Sequence, residues 1–373
     1  MKSLSIVPLC TEDMPGVIAL NRLHYGDSDV ACPDHLHWKY AQGPDGPAHI
    51  LLCKDMDRDG LIVGIVASLP RRVRINQQAA LARLVTDLLV HPAYRGHKIA
   101  GRLGQAMHGD LKPTEIAFSY GVPNPRSSHA YAQQLRQWQF DVKATGLVPL
   151  LVKLIDLRSL SRRATATYAR LPLSLLQGMY RVSGWVDKEH KRMTIPAMTV
   201  REVTSFDHTF DDFWIRVRDK RPVMVERSAK YLQWRFGAVP RRTYRKWVAE
   251  EADEARGYIV IRVMESRIVG VKSGMIADFL VEDNTAGQEA GHLLLSTVNE
   301  VFKAERVGVS ACLMLPETTE FRLLRERGYF VCPPRLEPQP SPLMIHPYQE
   351  SVSQSPAVST AGWFFSFGDY DVV

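Results

Sequence analysis

Two basic side chains stand where an apolar strand gives way to a helix. Residues 84–90 (LVTDLLV) have the aliphatic and β-branched composition of a buried strand, and Pro92 prevents the sheet ladder from continuing. Helical spacing begins at Ile99, so Arg95 and Lys98 lie in the connecting loop. The first amides of a helix lack partners within it and carry partial positive charge. Together with the two cations they predict a site for an anion such as phosphate.

The composition indicates a globular protein of more than one domain in a reducing compartment. The chain has 373 residues, of which 45% are hydrophobic and 23% charged, and no apolar run reaches transmembrane length. Its start, MKSLSIVPLCTED, predicts a first strand rather than a signal peptide. The five cysteines show neither metal-ligand nor disulfide spacing, which predicts no metal site and a cytoplasmic location. A net charge of +7 favours an anionic cofactor or an acidic partner.

An internal repeat organises the chain. The segment LHWKY at 36–40 recurs as LQWRF at 232–236, and a proline follows each at the same distance. Further along, DLLV at 87–90 recurs as DFLV at 278–281. A match of this kind in register predicts two copies of one fold. Trp38 and its counterpart in the second copy are shared, so we interpret them as packing residues.

The repeat and the order of elements predict the domains. Residues 1–155 form the first copy and residues 196–373 the second, with a basic linker at 156–195. Strands come first, then a βαβ unit and a closing hairpin, which is α+β order with a parallel pair at its centre. In the second copy, residues 333–360 are rich in Pro and Ser and predict mostly loop, with a short strand at 343–345. Residues 363–367 predict a last, buried C-terminal strand.

The basic segment 158–192 between the copies has two interpretations. Apolar residues recur in it at helical spacing, as in an amphipathic helix that lies on anionic lipid or contacts RNA backbone. The alternative is a connector helix packed on one domain. Pro172 and Gly178 interrupt a long helix and favour the connector.

The loop before the predicted helix resembles a known signature. The run V-H-P-x-Y-R-G-x-x-I-A at 90–100 resembles the acetyl-CoA signature of the GNAT superfamily of N-acetyltransferases, Arg/Gln-x-x-Gly-x-Gly/Ala. Arg95 fills the first position and Ala100 the last, whereas Lys98 replaces the middle glycine. If this position needs a positive φ, lysine is a handicap. If it belongs to an ordinary first helical turn, lysine adds a cation.

The resemblance implies both a fold and a set of cofactor contacts. The expected fold is two GNAT-like domains, each a mixed, mostly antiparallel sheet with a splayed central parallel pair and flanking helices. The first domain would bind acetyl-CoA, or another acyl-CoA, as co-substrate. A backbone N–H at Leu89 or Val90 could then polarise the thioester carbonyl and hold the oxyanion. The implied cofactor-binding residues are Leu89, Val90, Arg95, Gly96, His97, Lys98, Ile99, Ala100 and Asn124.

A second motif supports the resemblance. Asn124, Tyr131 and Phe140 are similar in spacing to an Asn, Tyr and Gly-Phe-like turn of GNAT enzymes, with glutamine in place of the glycine. By this resemblance Tyr131 is the general acid that protonates the leaving thiolate, and Asn124 contacts the pantetheine arm. The alternative for Tyr131 is a helix residue whose ring caps the core. Phe321 stands at the matching place of the second copy, where the hydroxyl is lost.

Amine attack also needs a proton acceptor, because an alkyl amine has a pKa of about 10. The candidates are Asp87, His91, His97 and the cluster 34–37 that contains Asp34, His35 and His37. Asp87 recurs in the copy that lost its basic loop, which favours a structural hydrogen bond, although it stays a catalytic candidate beside Tyr131. An ordered water chain is the alternative to any single base.

The second copy lacks the cations of the first. Its loop reads NTAGQE at 284–289, and Glu289 would repel a diphosphate. We therefore expect a catalytically silent domain that either completes the substrate cleft or only stabilises the fold.

The predicted reaction is direct transfer of an acyl group from acyl-CoA to a primary amine on a small molecule or peptide. One alternative is a tRNA-dependent aminoacyl transferase of cell-wall type, since such enzymes also use twin GNAT-like domains. Another is a non-catalytic protein that binds acyl-CoA or nucleic acid, which the basic composition would suit.

Overall fold

The computed structural model describes residues 3–110, 115–123, 143–156, 198–219, 221–265, 270–337 and 339–370. The chain divides into two compact units. Unit 1 comprises Met1–Gly146, Ala238–Arg242 and Pro342–Ser359, and unit 2 comprises Leu147–Gly237, Thr243–Ser341 and Thr360–Val373. Each unit contains one mixed sheet with helices, which confirms the predicted α+β class.

The secondary structure follows the chain in this order. The strands are β1 (Leu4–Pro8), β2 (His49–Asp55), β3 (Leu61–Ile75), β4 (Gln78–Val90), β5 (Phe118–Gly121), β6 (Lys143–Leu147), β7 (Leu150–Leu154), β8 (Met198–Val203), β9 (Val223–Val225), β10 (Arg245–Glu251), β11 (Glu254–Glu265), β12 (Lys272–Val281), β13 (Val309–Leu313), β14 (Phe330–Val331) and β15 (Pro342–Pro347). The helices are α1 (Met14–Tyr25), α2 (Pro33–Ala41), α3 (Ile99–Asp110), α4 (His208–Val217), α5 (Ala229–Leu232), α6 (Thr285–Ala304), α7 (Thr319–Glu326) and α8 (Glu350–Ser353).

Unit 1 is built on a sheet whose strands run in the order β1-β2-β3-β4-β5-β15-β6. The pairs β1–β2, β2–β3, β3–β4 and β5–β15 are antiparallel, whereas β4–β5 is parallel. Helix α3 connects the parallel pair and packs its apolar side on the sheet, where Leu103 and Met107 are fully buried beside Cys53 and Val63. This burial holds the start of α3 at the end of β4.

Unit 2 repeats the same central arrangement. Its strands run in the order β14-β7-β13-β12-β11-β10-β8, and β12–β13 is its parallel pair. Helix α6 makes the connection and buries its apolar side, including Leu294, Val298 and Phe302. The sequence repeat therefore corresponds to a repeat of the strand–helix–strand centre of each sheet.

Two strands, β7 and β15, pair differently from the order along the chain. The strand β7, expected to close the first copy, pairs with β13 in the sheet of unit 2. The short strand predicted at 343–345 is present as β15, but it pairs with β5 in the sheet of unit 1. Sequence periodicity indicates that a segment forms a strand, but it does not show which strand lies next to it. A long connection between two strands allows either of them to pair with a strand that is distant in the chain. The boundaries at 155 and 196 stay predictions, and the linker segment 158–192 lies outside the described residues.

The predicted C-terminal strand at 363–367 is wrong as a strand but right in its burial. Trp363 makes one isolated bridge to Val223, and Phe364 and Phe365 are fully buried. A turn then forms because the Ser366 amide donates to Asp369 Oδ2 at 2.9 Å and the Gly368 amide donates to Ser366 Oγ at 3.0 Å. These side-chain bonds compete with a ladder and end it.

Within the described ranges, no helix has both the length and the apolar character needed to cross a membrane.

Candidate active site

The parallel strands of unit 1 part in the middle of the sheet. Their register runs from Ala82 opposite Phe118 to Leu84 opposite Tyr120, after which β5 ends at Gly121 while β4 continues to Val90. Among the described residues, no strand pairs with the last part of β4 on the side where β5 has departed. This is the splay that the GNAT resemblance implied.

The backbone of β4 turns the Val90 amide toward this gap. The His91 amide donates to the Val63 carbonyl at 2.9 Å, so these two residues form a hydrogen-bonded pair of the β3–β4 ladder. Because such pairs alternate in an antiparallel ladder, Leu89 is bonded toward β3, and Val90 faces away from it. Of the two amides that the sequence proposed for the thioester carbonyl, only that of Val90 points into the gap.

A bulge precedes this amide and contains Asp87. The register between β3 and β4 shifts here, and Asp87 has a φ of 52°. Its carboxylate accepts a hydrogen bond from the Tyr40 hydroxyl at 2.8 Å and pairs with Lys39 Nζ at 2.7 Å. Asp278, its counterpart, likewise accepts from the hydroxyl of Tyr258 at 2.7 Å. Both aspartates thus have partners that hold a bulged strand, whereas a catalytic role for Asp87 remains a prediction.

At position 98 the basic loop has the left-handed backbone conformation that the glycine of the signature would favour. Gly96 has a φ of 86° and Lys98 a φ of 57°, both in the left-handed region. The Lys98 carbonyl accepts the first helical bond, from the Arg102 amide at 3.0 Å. The position therefore needs a positive φ, and lysine occupies it at a conformational cost of about 1 kcal/mol.

The exposed face of the loop fits a diphosphate. Arg95, Gly96, His97 and Lys98 are exposed, and nothing lies within 4 Å of the point where a Cβ on Gly96 would stand. Ile99 is buried in the core, so only its backbone can face a ligand. The loop therefore presents two exposed cations beside the first-turn amides of α3, and a diphosphate site here stays a prediction.

Tyr94 fixes this loop to the body of unit 1. Its side chain is 1% exposed, and its hydroxyl donates to Asp55 Oδ2 at 2.5 Å. Asp55 ends β2 and is itself 1% exposed. Sequence analysis missed this pair, because nothing in the spacing links a tyrosine in one loop to an aspartate 39 positions earlier.

The remaining site residues predicted from the sequence are not brought together in the described part of the chain. Asn124 and Tyr131 lie outside the described residues. In the cluster 34–37, His35 is buried against Trp38 with ring centroids 5.1 Å apart, while Asp34 and His37 are exposed, so this cluster does not converge on one site. Trp38 and Trp234 are both buried, as a packing role requires.

Two histidines flank Tyr94. The His91 ring meets the Tyr94 ring edge-on, with centroids 5.5 Å apart, and His91 Nδ1 accepts from the Ala93 amide at 3.2 Å. The His97 ring lies 6.2 Å from the Tyr94 ring. Both histidines thus line the loop beside the end of β4.

A third histidine reaches the same strand end from another element. His24 lies near the C-terminus of α1, and its Nε2 is 3.1 Å from the Val90 carbonyl oxygen. Burial lowers the pKa of His24, although the bond to Val90 opposes this shift. Sequence analysis did not single out His24, because only the tertiary structure brings α1 to the end of β4.

The corresponding positions of unit 2 are filled by its own side chains. The Val281 amide donates to Glu320 Oε1 at 2.9 Å, and Glu320 is fully buried beside Arg221. At the start of α6 the Asn284 side chain accepts from the Gly287 amide at 2.8 Å. The interpretation of this copy as silent thus gains a physical basis, since both an oxyanion and a phosphate would find these amides occupied.

Comparison with known proteins agrees with this geometry. Residues 5–135 match the family model of the acetyltransferase (GNAT) domain. Among curated protein sequences, none matches the chain. Solved structures of similar fold include a conserved protein of unknown function from Enterococcus faecalis V583, described as a probable N-acyltransferase, with 12% identity and a TM-score of 0.61. A GCN5-related N-acetyltransferase from Anabaena variabilis ATCC 29413 has 12% identity and a TM-score of 0.60. Both matches cover 93% of this chain and 73% of the other.

A third similar structure is N-myristoyltransferase from Saccharomyces cerevisiae with bound myristoyl-CoA. It has 10% identity and a TM-score of 0.58, and the match covers 93% of this chain and 83% of the other. At such low identities the likeness concerns the fold.

The parted strands and the basic loop both lie within the residues that match the acetyltransferase (GNAT) model, and this match supports acyl transfer as the class of reaction. Residues 5–135 thus match the model of an acetyltransferase (GNAT) domain, and the chain as a whole shares its fold with the solved structures named above.

Proposed function

We propose that the protein is an N-acetyltransferase that moves an acetyl group from acetyl-CoA to a primary amine on a small molecule or peptide. The observation that carries the proposal is the Val90 amide, which faces the gap between the parted strands at the end that leads into the basic loop. A thioester placed there has a hydrogen-bond donor for its carbonyl oxygen.

The coenzyme would be held at three points. Arg95, Lys98 and the first amides of α3, including those of Ile99 and Ala100, bind the diphosphate. The amide-rich pantetheine arm pairs with the free edge of β4 as an added strand would. Asn124 contacts the same arm by resemblance to the family.

The chemistry is direct attack of the amine on the thioester carbon. The developing oxyanion is stabilised by the Val90 amide, and the departing thiolate receives a proton from Tyr131. A phenol can protonate a thiolate when the transfer is concerted with C–S cleavage.

The test is release of free thiol from acetyl-CoA in the presence of a panel of primary amines. Arg95→Glu should abolish binding of acetyl-CoA, because a carboxylate replaces the cation nearest the diphosphate. Tyr131→Phe should bind acetyl-CoA normally and release thiol more slowly. Normal binding by Arg95→Glu would refute the loop assignment, and an unchanged rate in Tyr131→Phe would refute the acid.

Ligand-dependent melting separates this proposal from its alternatives. Acetyl-CoA should raise the melting temperature of the protein, since a ligand that binds only the folded state stabilises it. Stabilisation by tRNA without any effect of acetyl-CoA would instead favour an aminoacyl transferase or a nucleic-acid-binding protein. Binding of acetyl-CoA without thiol release, with any amine, would favour a non-catalytic acyl-CoA-binding protein.

A further inference from the structure

We infer that His24 is the general base that takes the proton from the attacking amine. This inference rests on the proposed function, and it concerns a residue on α1 rather than on the loop or the strand that bind the coenzyme. It starts from the contact between the His24 ring and the Val90 carbonyl, 3.1 Å apart.

That contact sets the tautomer of the ring. A carbonyl oxygen can only accept a hydrogen bond, so Nε2 must carry the hydrogen. The neutral ring then has its lone pair on Nδ1, and within the described residues Nδ1 has no hydrogen-bond partner. A neutral imidazole with one nitrogen anchored and the other free is the form that a general base requires.

The same contact places the ring beside the reacting carbonyl. The N–H and C=O of one strand residue point to the same side, so the Val90 carbonyl and the Val90 amide share the gap edge of β4. A thioester oxygen on that amide is therefore a neighbour of the imidazole. The amine that attacks the carbonyl carbon approaches a base already fixed to the strand.

The surroundings keep His24 neutral at physiological pH. Burial lowers its pKa, and the positive charge of Arg95 and the nearby His91 lower it further, against the opposing effect of the Val90 bond. Tyr25, the adjacent aromatic ring with its centroid 6.3 Å away, adds no charge at this pH. The imidazole is thus available as a proton acceptor under ordinary conditions.

The step balances as follows. One amine proton passes to Nδ1 as the nitrogen forms its bond to the carbonyl carbon, and the carbonyl electrons move to the oxygen held by Val90. The oxyanion then reforms the C=O bond as the C–S bond breaks, and the sulfur leaves with its electron pair and takes the proton of Tyr131 to give free coenzyme A, after which water reprotonates Tyr131. His24 returns its proton to water, which completes the cycle.

His24→Gln tests this role directly. Glutamine can donate to the Val90 carbonyl but cannot accept a proton at neutral pH, so it keeps the contact and removes the base. We expect normal acetyl-CoA binding and a loss of about 100-fold in kcat/KM for thiol release. The pH profile of kcat/KM for the wild type should show an inflection below pH 7 that comes from His24, and His24→Gln should lack it. The acceptor amine, with a pKa of about 10, cannot produce an inflection in this range. The control for the substitution itself is His208→Gln, an exposed histidine of unit 2.

A second variant distinguishes the loss of the base from the loss of the contact with Val90. His24→Ala removes both contact and base, and added imidazole should restore part of its rate. If His24→Gln is as fast as the wild type while His24→Ala is slow, the ring only positions Val90 and the inference is overturned.

The probes are acetyl-CoA with the amine panel and, as a second arm, acetyl-CoA hydrolysis with water as the acceptor. Failure of the wild type to bind acetyl-CoA would refute the proposed function itself. Binding without thiol release in either arm would overturn both the transfer reaction and the role of His24.

Discussion

The amide of Val281 donates to a buried oxygen of Glu320 at 2.9 Å, whereas the amide of Val90, its counterpart, faces a gap between strands. The two valines are equivalent because each lies opposite a glycine on the neighbouring strand, Gly64 for Val90 and Gly257 for Val281. The same backbone feature is thus open in one unit and satisfied internally in the other. A buried carboxylate that Arg221 also holds will not leave this amide for a thioester.

We therefore predict that each chain binds one acetyl-CoA. Calorimetric titration should give a stoichiometry of one, because the Val281 amide of unit 2 is bonded to Glu320 and its Gly287 amide to Asn284. In Arg95→Glu the heat of binding should disappear entirely rather than fall by half. A residual site in that variant would show that unit 2 binds the coenzyme.

Lys98 should lower the stability of the protein through its positive φ and raise the affinity for acetyl-CoA through its charge. Its φ of 57° strains any residue except glycine, so Lys98→Gly should have a free energy of unfolding about 1 kcal/mol higher than Lys98→Ala. Both variants lose the cation and should bind acetyl-CoA more weakly than the wild type. Chemical denaturation and calorimetry measure the two effects separately. Equal stability of the glycine and alanine variants would contradict the left-handed conformation.

Tyr94→Phe should loosen the loop from the body of unit 1. Removal of the hydroxyl leaves the carboxylate of Asp55, which is 1% exposed, without its phenol donor, at a cost of about 2 kcal/mol. Acetyl-CoA affinity should fall as well, since the residue after Tyr94 is Arg95.

The matched control is Tyr40→Phe, which removes the phenol donor of Asp87. Asp87 keeps its ion pair with Lys39, so the loss of stability should be nearer 1 kcal/mol. Unfolding curves of the two variants provide the comparison. A larger loss for Tyr40→Phe would contradict the importance of the Tyr94 bond.

A buried histidine of unit 1 should make its stability depend on pH. His108 on α3 is 4% exposed, and its Nδ1 lies 2.7 Å from the Tyr348 hydroxyl, with the His346 ring 4.8 Å away. Burial and, to a smaller extent, the neighbouring His346 lower the pKa of His108 to about 3. The folded state therefore prefers neutral His108, whereas the unfolded chain protonates it near pH 6.5.

Between these two pKa values the unfolded state binds the extra proton, so stability falls as the pH falls from about 6.5 to 3. The full effect is about 5 kcal/mol if the whole shift applies. His108→Gln should start less stable and show a shallower dependence over this range. Urea denaturation at a series of pH values measures the difference, and parallel curves for both proteins would contradict the prediction.

The repeat and the loop were accessible from sequence because both depend on local residue types. The doubled Trp and Asp segments indicated two copies, and the spacing from Arg95 to Ala100 located the basic turn at the start of α3. The sequence also showed that Lys98 stands where the GNAT signature has a glycine. It did not show the backbone conformation of Lys98, because a positive φ is set by how the loop joins a packed helix to a strand.

Other features depend on contacts between distant parts of the chain. Nothing in the local pattern shows that β7 and β15 pair with sheets other than those expected from their order, because the choice of partner strand is decided by tertiary packing. The bonds from Tyr94 to Asp55 and from Val281 to Glu320 join residues 39 positions apart in each case.

The sequence by itself determined the class of fold, the two copies and the cationic turn, since periodicity and spacing act over a few residues. Only the tertiary structure decided which strand amide faces the gap, which copy has that amide filled, and which histidine stands beside it. Those relationships arise when side chains far apart in the chain compete for the same backbone groups, and that competition is settled by packing.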